Sequence, residues 1–136
     1  MRLVIDGSVA VSWFLADEQS ESAQQVRRRI ADAEVVSVPV HWMLEVANAL
    51  LVAERRNRIA PADVNHALGI LRQMPIRPDS ETDVHAGTHT LELARRHTLS
   101  IYDAAYLELA LRIGANLASL DEPLKVAARA RGVAVI

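Results

Sequence analysis

Four carboxylates stand where an acid needs a reason. Asp6 stops the apolar run Leu3 to Ile5, and Asp121 follows "NLASL". Each has a hydroxyl two positions away, Ser8 and Ser119. Glu45 is embedded in "HWMLEVANAL", with Asn48 about one helical turn on, and Asp103 interrupts "SIYDAAYLELAL". An acid near an apolar stripe wants a partner, because burying an unpaired charge is costly. Carboxylates crowded together repel one another and raise one another's pKa. A divalent cation removes that penalty. Hard oxygen ligands without His or Cys suit Mg²⁺ or Mn²⁺ rather than zinc. Such an ion keeps several waters, so one can be delivered as a nucleophile while the ion binds a phosphate oxygen. Ser8, Asn48 and Ser119 would then orient ligands or waters around the acids.

Each acid also has a plainer reading. Asp6 or Ser8 can cap a helix, worth about 1 kcal/mol. Asp103 can do the same for its own helix, and Asp121 can open the turn "DEPL". What joins the four is the set of elements that must carry them. "LVI" reads as a short buried strand, and "EVVSVP" as a second one ended by Pro39. "ANLASLD" reads as a strand running into Asp121, and "VAVI" as a last strand. "PIRP" is at most a very short one.

Helical patterns fill the intervals. One starts near Ser8. "SESAQQVRRRIADA" has the inner face Ala23, Val26 and Ile30. "VHWMLEVANALLVAERRNR" has the stripe Trp42, Val46, Ala49, Leu50 and Ala53. Further helices are predicted over "APADVNHALGILRQM", from about Ser80 to His97, from about Tyr102 to Gly114, and over "EPLKVAARARG". Short apolar strands alternating with helices predict a parallel sheet covered on both faces. In such sheets ligands bind outside the carboxyl ends of the strands, which is where Asp6 and Asp121 fall.

Composition narrows the function classes. The chain has 136 residues, 51% hydrophobic and 24% charged, with no internal repeat or linker, so one unit over 1–136 is expected. The absence of cysteine excludes disulfides and thiolate metal sites. No leader pattern and no run of membrane-spanning length is evident, so a cytoplasmic protein is expected. A net charge of −2 argues against a broad basic surface for duplex DNA. The basic residues cluster as Arg27 to Arg29, Arg55, Arg56 and Arg58, and Arg95 with Arg96, and Lys125 is the only lysine. They read as solvated helix ends or as contacts to a polyanion.

With these residues in place, the chain resembles the PIN-domain ribonucleases of the VapC toxin type. The resemblance spans nearly the whole length and rests on "VIDGSVAVSWFLADE", "EVANAL", "SIYDAAYLELA" and "LASLDEPLKVAA", in that order. It implies a three-layer α/β/α sandwich around a central parallel sheet and Mg²⁺- or Mn²⁺-dependent cleavage of single-stranded RNA. The family's quartet of acids falls on Asp6, Glu45, Asp103 and Asp121, its small hydroxylic positions on Ser8 and Ser119, and a common polar position on Asn48. Gly7 and Ser119 depart mildly from the pattern, where a small side chain and a threonine are more usual. The resemblance also implies a toxin held by a small antitoxin protein, and a homodimer. On this reading Asp6, Glu45 and Asp103 hold or support the ion, and Asp121 completes the pocket.

Two rivals use the same residues. A phosphatase or phospho-acceptor would use Asp6 as nucleophile but would want a lysine near the phosphate. A non-catalytic module would keep the fold for partner binding. His85 and His89, four apart on one helix, resemble a zinc pair without a third ligand. His41, His66 and His97 read as surface or helix-end residues. Trp13, Phe14 and Trp42 read as core or subunit-contact residues.

Overall fold

The computed structural model describes residues 1–33 and 35–136; Glu34, first in the expected second strand, lies outside the described residues. Four strands form one parallel sheet in the order β3-β2-β1-β4. They are β1 (Arg2–Ile5), β2 (Val35–Pro39), β3 (Ile76–Asp79) and β4 (Asn116–Ala118). β1 is central, with Val4 facing Ser37 on one side and Leu117 on the other. Its Leu3, Val4 and Ile5 are fully buried, as a strand covered on both faces requires.

The helices lie on both faces, as a three-layer arrangement requires. α1 (Gly7–Phe14) packs against both α2 (Glu21–Ile30) and α3 (Trp42–Arg55), and α3 packs against α4 (Pro61–Gln73). α5 (Thr82–His85), α6 (Leu91–His97) and α8 (Glu122–Ala130) surround α7 (Ile101–Ile113), which lies against β1, β2 and β4. The stripe expected on α3 faces inward: Trp42, Val46, Leu50 and Ala53 are buried and Ala49 packs against the same core. Trp13 is also core, and its indole N–H donates to the Ala23 carbonyl at 2.7 Å, pinning α1 to α2. Ser100 caps α7, and Gly114, at φ 65°, ends it in the left-handed region that glycine adopts without penalty.

Three expectations need correction. The helix from Ser80 to His97 is not continuous: a π-helical turn, Ala86–Thr90, separates α5 from α6. Thr82 and Thr90 are both buried. A regular helix would set positions eight apart about 80° away from each other. The wider turn returns both to one face. The fourth strand ends at Ala118, before Asp121, because Ser119, Leu120 and Asp121 turn to start α8. "VAVI" makes a single parallel bridge, Val135 with Leu117, rather than a strand; both of its hydrogen bonds fall on Leu117. In contrast, "PIRP" contributes to a four-residue edge strand, the position in a sheet that tolerates Pro78.

Candidate active site

β1 and β4 are hydrogen-bonded neighbours, so their carboxyl ends bring residues 6 and 119 together. Asp6 is only 4% exposed and sits at the centre of a two-armed network. One carboxylate oxygen accepts from the Ser8 hydroxyl, which in turn accepts from the Leu120 N–H at 3.0 Å. The other accepts from the Ser119 hydroxyl, which accepts from the Asp121 N–H at 2.9 Å. Asp6 also caps α1 through the Val9 N–H at 3.3 Å, and Asp121 caps α8 through the Leu124 N–H at 3.0 Å. The capping and acidic readings of these residues are therefore compatible: the caps fix where the carboxylates lie.

Glu45 comes from the first turn of α3 and Asp103 from the first turn of α7. The Glu45 carboxylate accepts a 2.7 Å hydrogen bond from the Tyr106 hydroxyl and lies 3.4 Å from His41 Nε2. The backbone N–H of Asp103 is held by the Ser100 hydroxyl at 3.1 Å. Asn48 is exposed on α3, about one turn beyond Glu45, and makes no hydrogen bond among the described residues.

The acids act on one another. Burial raises the Asp6 carboxyl above the ordinary aspartate range, and the charge of Asp103 adds to the rise. The hydrogen bonds from Ser119, Ser8 and Val9 oppose it. Asp103 is raised by burial and then by the charge of Asp121, against the opposing pull of Ser100 and His41. Tyr106 is raised by burial and by Glu45, with Asp6 and Asp103 contributing, so its phenol keeps its proton and remains a donor.

The contacts of two of these residues escaped the sequence reading. Tyr106 looks like a core residue, and it is one: its exposure is 0%. Its spacing of three from Asp103 places both on one face of α7 and was the available signal. His41 stands at a helix end as expected, at the N-cap of α3, but its ring contacts to Tyr102 and Tyr106, with centroids 5.5 and 5.4 Å away, were not foreseen.

The donor set suits a hard divalent cation: carboxylates and hydroxyls, with burial and mutual repulsion that positive charge would relieve. Among the described residues no three Asp, Glu or His side chains converge tightly enough to hold an ion directly. Asp6 is turned to its serines, and Glu45 to Tyr106 and His41. An ion bound here would reach these carboxylates at least in part through water, as Mg²⁺ commonly does.

Elsewhere, the His85 and His89 rings stack at 6.0 Å and His85 Nδ1 lies 3.8 Å from Glu108. Lys125 pairs with Glu122 at 3.2 Å on its own helix. Beside the acids runs an open groove of about 440 Å³, lined by Ser8, Val11, Glu45, Ala49 and Leu120 and bordered by Arg58. Arg58 itself is engaged by Asp17 and Glu18.

Comparison with known proteins gives a consistent picture. The family model of the PIN domain matches residues 3–130. "Ribonuclease VapC3" of Mycobacterium tuberculosis is 34% identical over 123 residues, covering 90% of this chain and 85% of the relative. The crystal structure of PAE2754 from Pyrobaculum aerophilum superposes with a TM-score of 0.71 at 19% identity, covering 99% of this chain and 89% of that one. VapBC2 from Rickettsia felis, bound to a DNA fragment from their promoter, gives a TM-score of 0.67 at 11% identity over 100% of this chain and 98% of that one.

Proposed function

The chain belongs to the PIN-domain family, and from that premise we propose that it is a divalent-metal-dependent endoribonuclease. It hydrolyses phosphodiester bonds in single-stranded RNA, as the toxin of a toxin–antitoxin pair. The observation that supports this most is the buried Asp6, held by two serines and coupled electrostatically to Asp103, which is in turn coupled to Asp121.

Asp6, Glu45 and Asp103 would hold the ion, with Asp121 completing the pocket and Ser8, Ser119 and Asn48 in support. Mg²⁺ or Mn²⁺, when bound, lowers the pKa of water and stabilises charge on the phosphate oxygens. The chain's own part is positional and acid–base. Asp6 is fixed by its three hydrogen bonds, so it meets a substrate with little reorganisation. Asp103, whose backbone N–H is held by the Ser100 hydroxyl, brings a further carboxylate to the site to help deprotonate the attacking water. The groove beside Ser8 and Glu45 gives the RNA strand room to lie against these acids.

The partners that follow are a small antitoxin protein and a second copy of the chain. Exposed Val40, Leu44 and Tyr102, at 49%, 75% and 62%, offer apolar surface for such contacts. No helix among the described residues is long and apolar enough to cross a membrane, and we place the activity in the cytoplasm, where its RNA would be.

The test is cleavage of a single-stranded RNA with Mg²⁺ or Mn²⁺, with chelator, and with Asp6→Asn. We expect ion-dependent cutting that Asp6→Asn abolishes while its circular dichroism stays that of the wild type. Wild-type rates in Asp6→Asn would overturn the assignment of the site. Trapping of an acyl phosphate on Asp6 would favour a phosphatase instead.

A further inference from the structure

The acidic quartet leaves one buried hydroxyl unaccounted for. Tyr106 is 0% exposed and surrounded on α7 by Ala104, Ala105, Leu107 and Leu109, all buried. A tyrosine in such a setting serves packing as well as phenylalanine would, unless its hydroxyl has a task. Its hydroxyl donates at 2.7 Å to Glu45 Oε2, across 61 residues of sequence and between two helices. The other Glu45 oxygen lies 3.4 Å from His41 Nε2. The Tyr106 hydroxyl is thus the one side-chain hydrogen bond given to this carboxylate among the described residues, while His41 Nε2 also lies 3.2 Å from the Tyr102 carbonyl and the His41 and Tyr106 rings meet at 5.4 Å between centroids.

Glu45 needs such a hold more than Asp6 does. Asp6 is fixed by three donors close to the end of its strand. Glu45 is a longer side chain with more rotamers, on the first turn of a helix beside an open groove. We propose that Tyr106 is a positioning residue: its hydroxyl, with His41 alongside, fixes the Glu45 carboxylate at the acidic site and so raises affinity for the divalent ion. This rests on the divalent-ion reading given above. Groups that orient a ligand side chain in this way commonly change ion affinity by about 10–100-fold when removed.

The experiment is a Mn²⁺ titration of the ion-free protein, read from the electron paramagnetic resonance of free Mn²⁺. It is run on the wild type, Tyr106→Phe, Glu45→Gln and the double variant. Tyr106→Phe deletes only the hydroxyl and keeps the ring in the core. It is expected to weaken Mn²⁺ binding about tenfold with an unchanged far-ultraviolet circular dichroism spectrum and a cooperative thermal unfolding transition. In the Glu45→Gln background the same change should have little further effect, because the hydroxyl acts through the carboxylate. Cleavage by Tyr106→Phe should recover toward the wild-type rate as Mn²⁺ is raised.

Wild-type affinity in Tyr106→Phe overturns the proposal. So does an equal loss in both backgrounds, or unfolding of Tyr106→Phe, since either makes the hydroxyl merely structural. If the wild type itself binds no Mn²⁺, the divalent-ion reading falls first and this inference falls with it. Binding by the wild type with no effect of Tyr106→Phe removes this inference alone.

Discussion

The Ser119 hydroxyl donates to the Asp6 carboxylate, joining the end of β1 to the turn after β4 across 113 residues. The same oxygen accepts from the Asp121 N–H. Ser119→Ala therefore removes one donor from a buried charge and one acceptor from a backbone N–H. Leaving buried polar groups unsatisfied costs about 1–3 kcal/mol each, and a loss of that order is expected in urea unfolding. Ser119→Thr keeps the hydroxyl and should restore most of it.

Asp103 makes stability depend on pH in a particular direction. Its folded-state pKa is raised, by burial first and by Asp121 second. A raised acid favours the folded state while it still holds its proton, and its cost is complete once pH passes the folded value. Asp103→Asn should therefore raise the melting temperature of the ion-free protein at neutral pH. The gain should vanish below the ordinary aspartate value of 3.8, where both states are protonated. Added Mn²⁺ should reverse the order, stabilising the wild type by mass action and the variant far less. Calorimetry across pH, with and without Mn²⁺, reads both effects.

Arg112 ties part of the fold's stability to pH. Its guanidinium bridges Asp79 at 2.6 Å and Glu108 at 2.7 Å, tying the end of β3 to α7. Burial alone would raise Asp79, but hydrogen bonds from Arg112 and the Glu81 N–H, with the Arg112 charge, bring it below the usual range. A depressed acid contributes stability above its unfolded value of 3.8 and loses it as pH falls through the folded value. Arg112→Met strands Glu108, whose side chain is 5% exposed. Removing one partner of a buried pair costs roughly 3–5 kcal/mol, and partial exposure of Arg112 reduces this to about 2–3 kcal/mol. Chemical unfolding at pH 7 and at pH 3 should show the variant's deficit shrinking in acid.

Gly7 has room for a methyl group. A Cβ there would meet Glu45 Oε2 and the Val46 side chain at 3.6 Å, ordinary contact distances. As the first residue of α1 it has no need of left-handed backbone. Gly7→Ala should stabilise the fold by about 0.4–1 kcal/mol through the unfolded state. Cleavage should be unchanged; a stability loss in thermal unfolding would contradict the expected fit.

The sheet and the positions of Asp6 and Asp121 were legible because buried strands and helix caps leave local marks: an apolar run, then an acid, then a hydroxyl. Glu45 and Asp103 were legible as acids set in apolar helices. Tyr106 was not, because a tyrosine among alanines and leucines reads as packing, and its hydroxyl's partner lies 61 residues away. His41 was legible as the helix-end residue it is, but not its ring contacts, because Tyr102 and Tyr106 come from α7. The π-helical turn was hidden because one widened turn scarcely disturbs a periodicity read over a long helix. The early end of β4 is hidden in the sequence because Leu120, apolar like Leu117 and Ala118, prolongs the run after the chain has turned at Ser119.

The central strand of the sheet is the first to be synthesised, and its neighbour β4 is the last. While a ribosome is still making the chain, Asp6 has no Ser119 to hold it, and Asp103 has no Asp121 acting on it. A growing chain cannot complete the acidic pocket until residue 121 has emerged, because contacts so far apart in sequence close late. The acidic cluster is thus the last part of the sheet's carboxyl edge to be assembled.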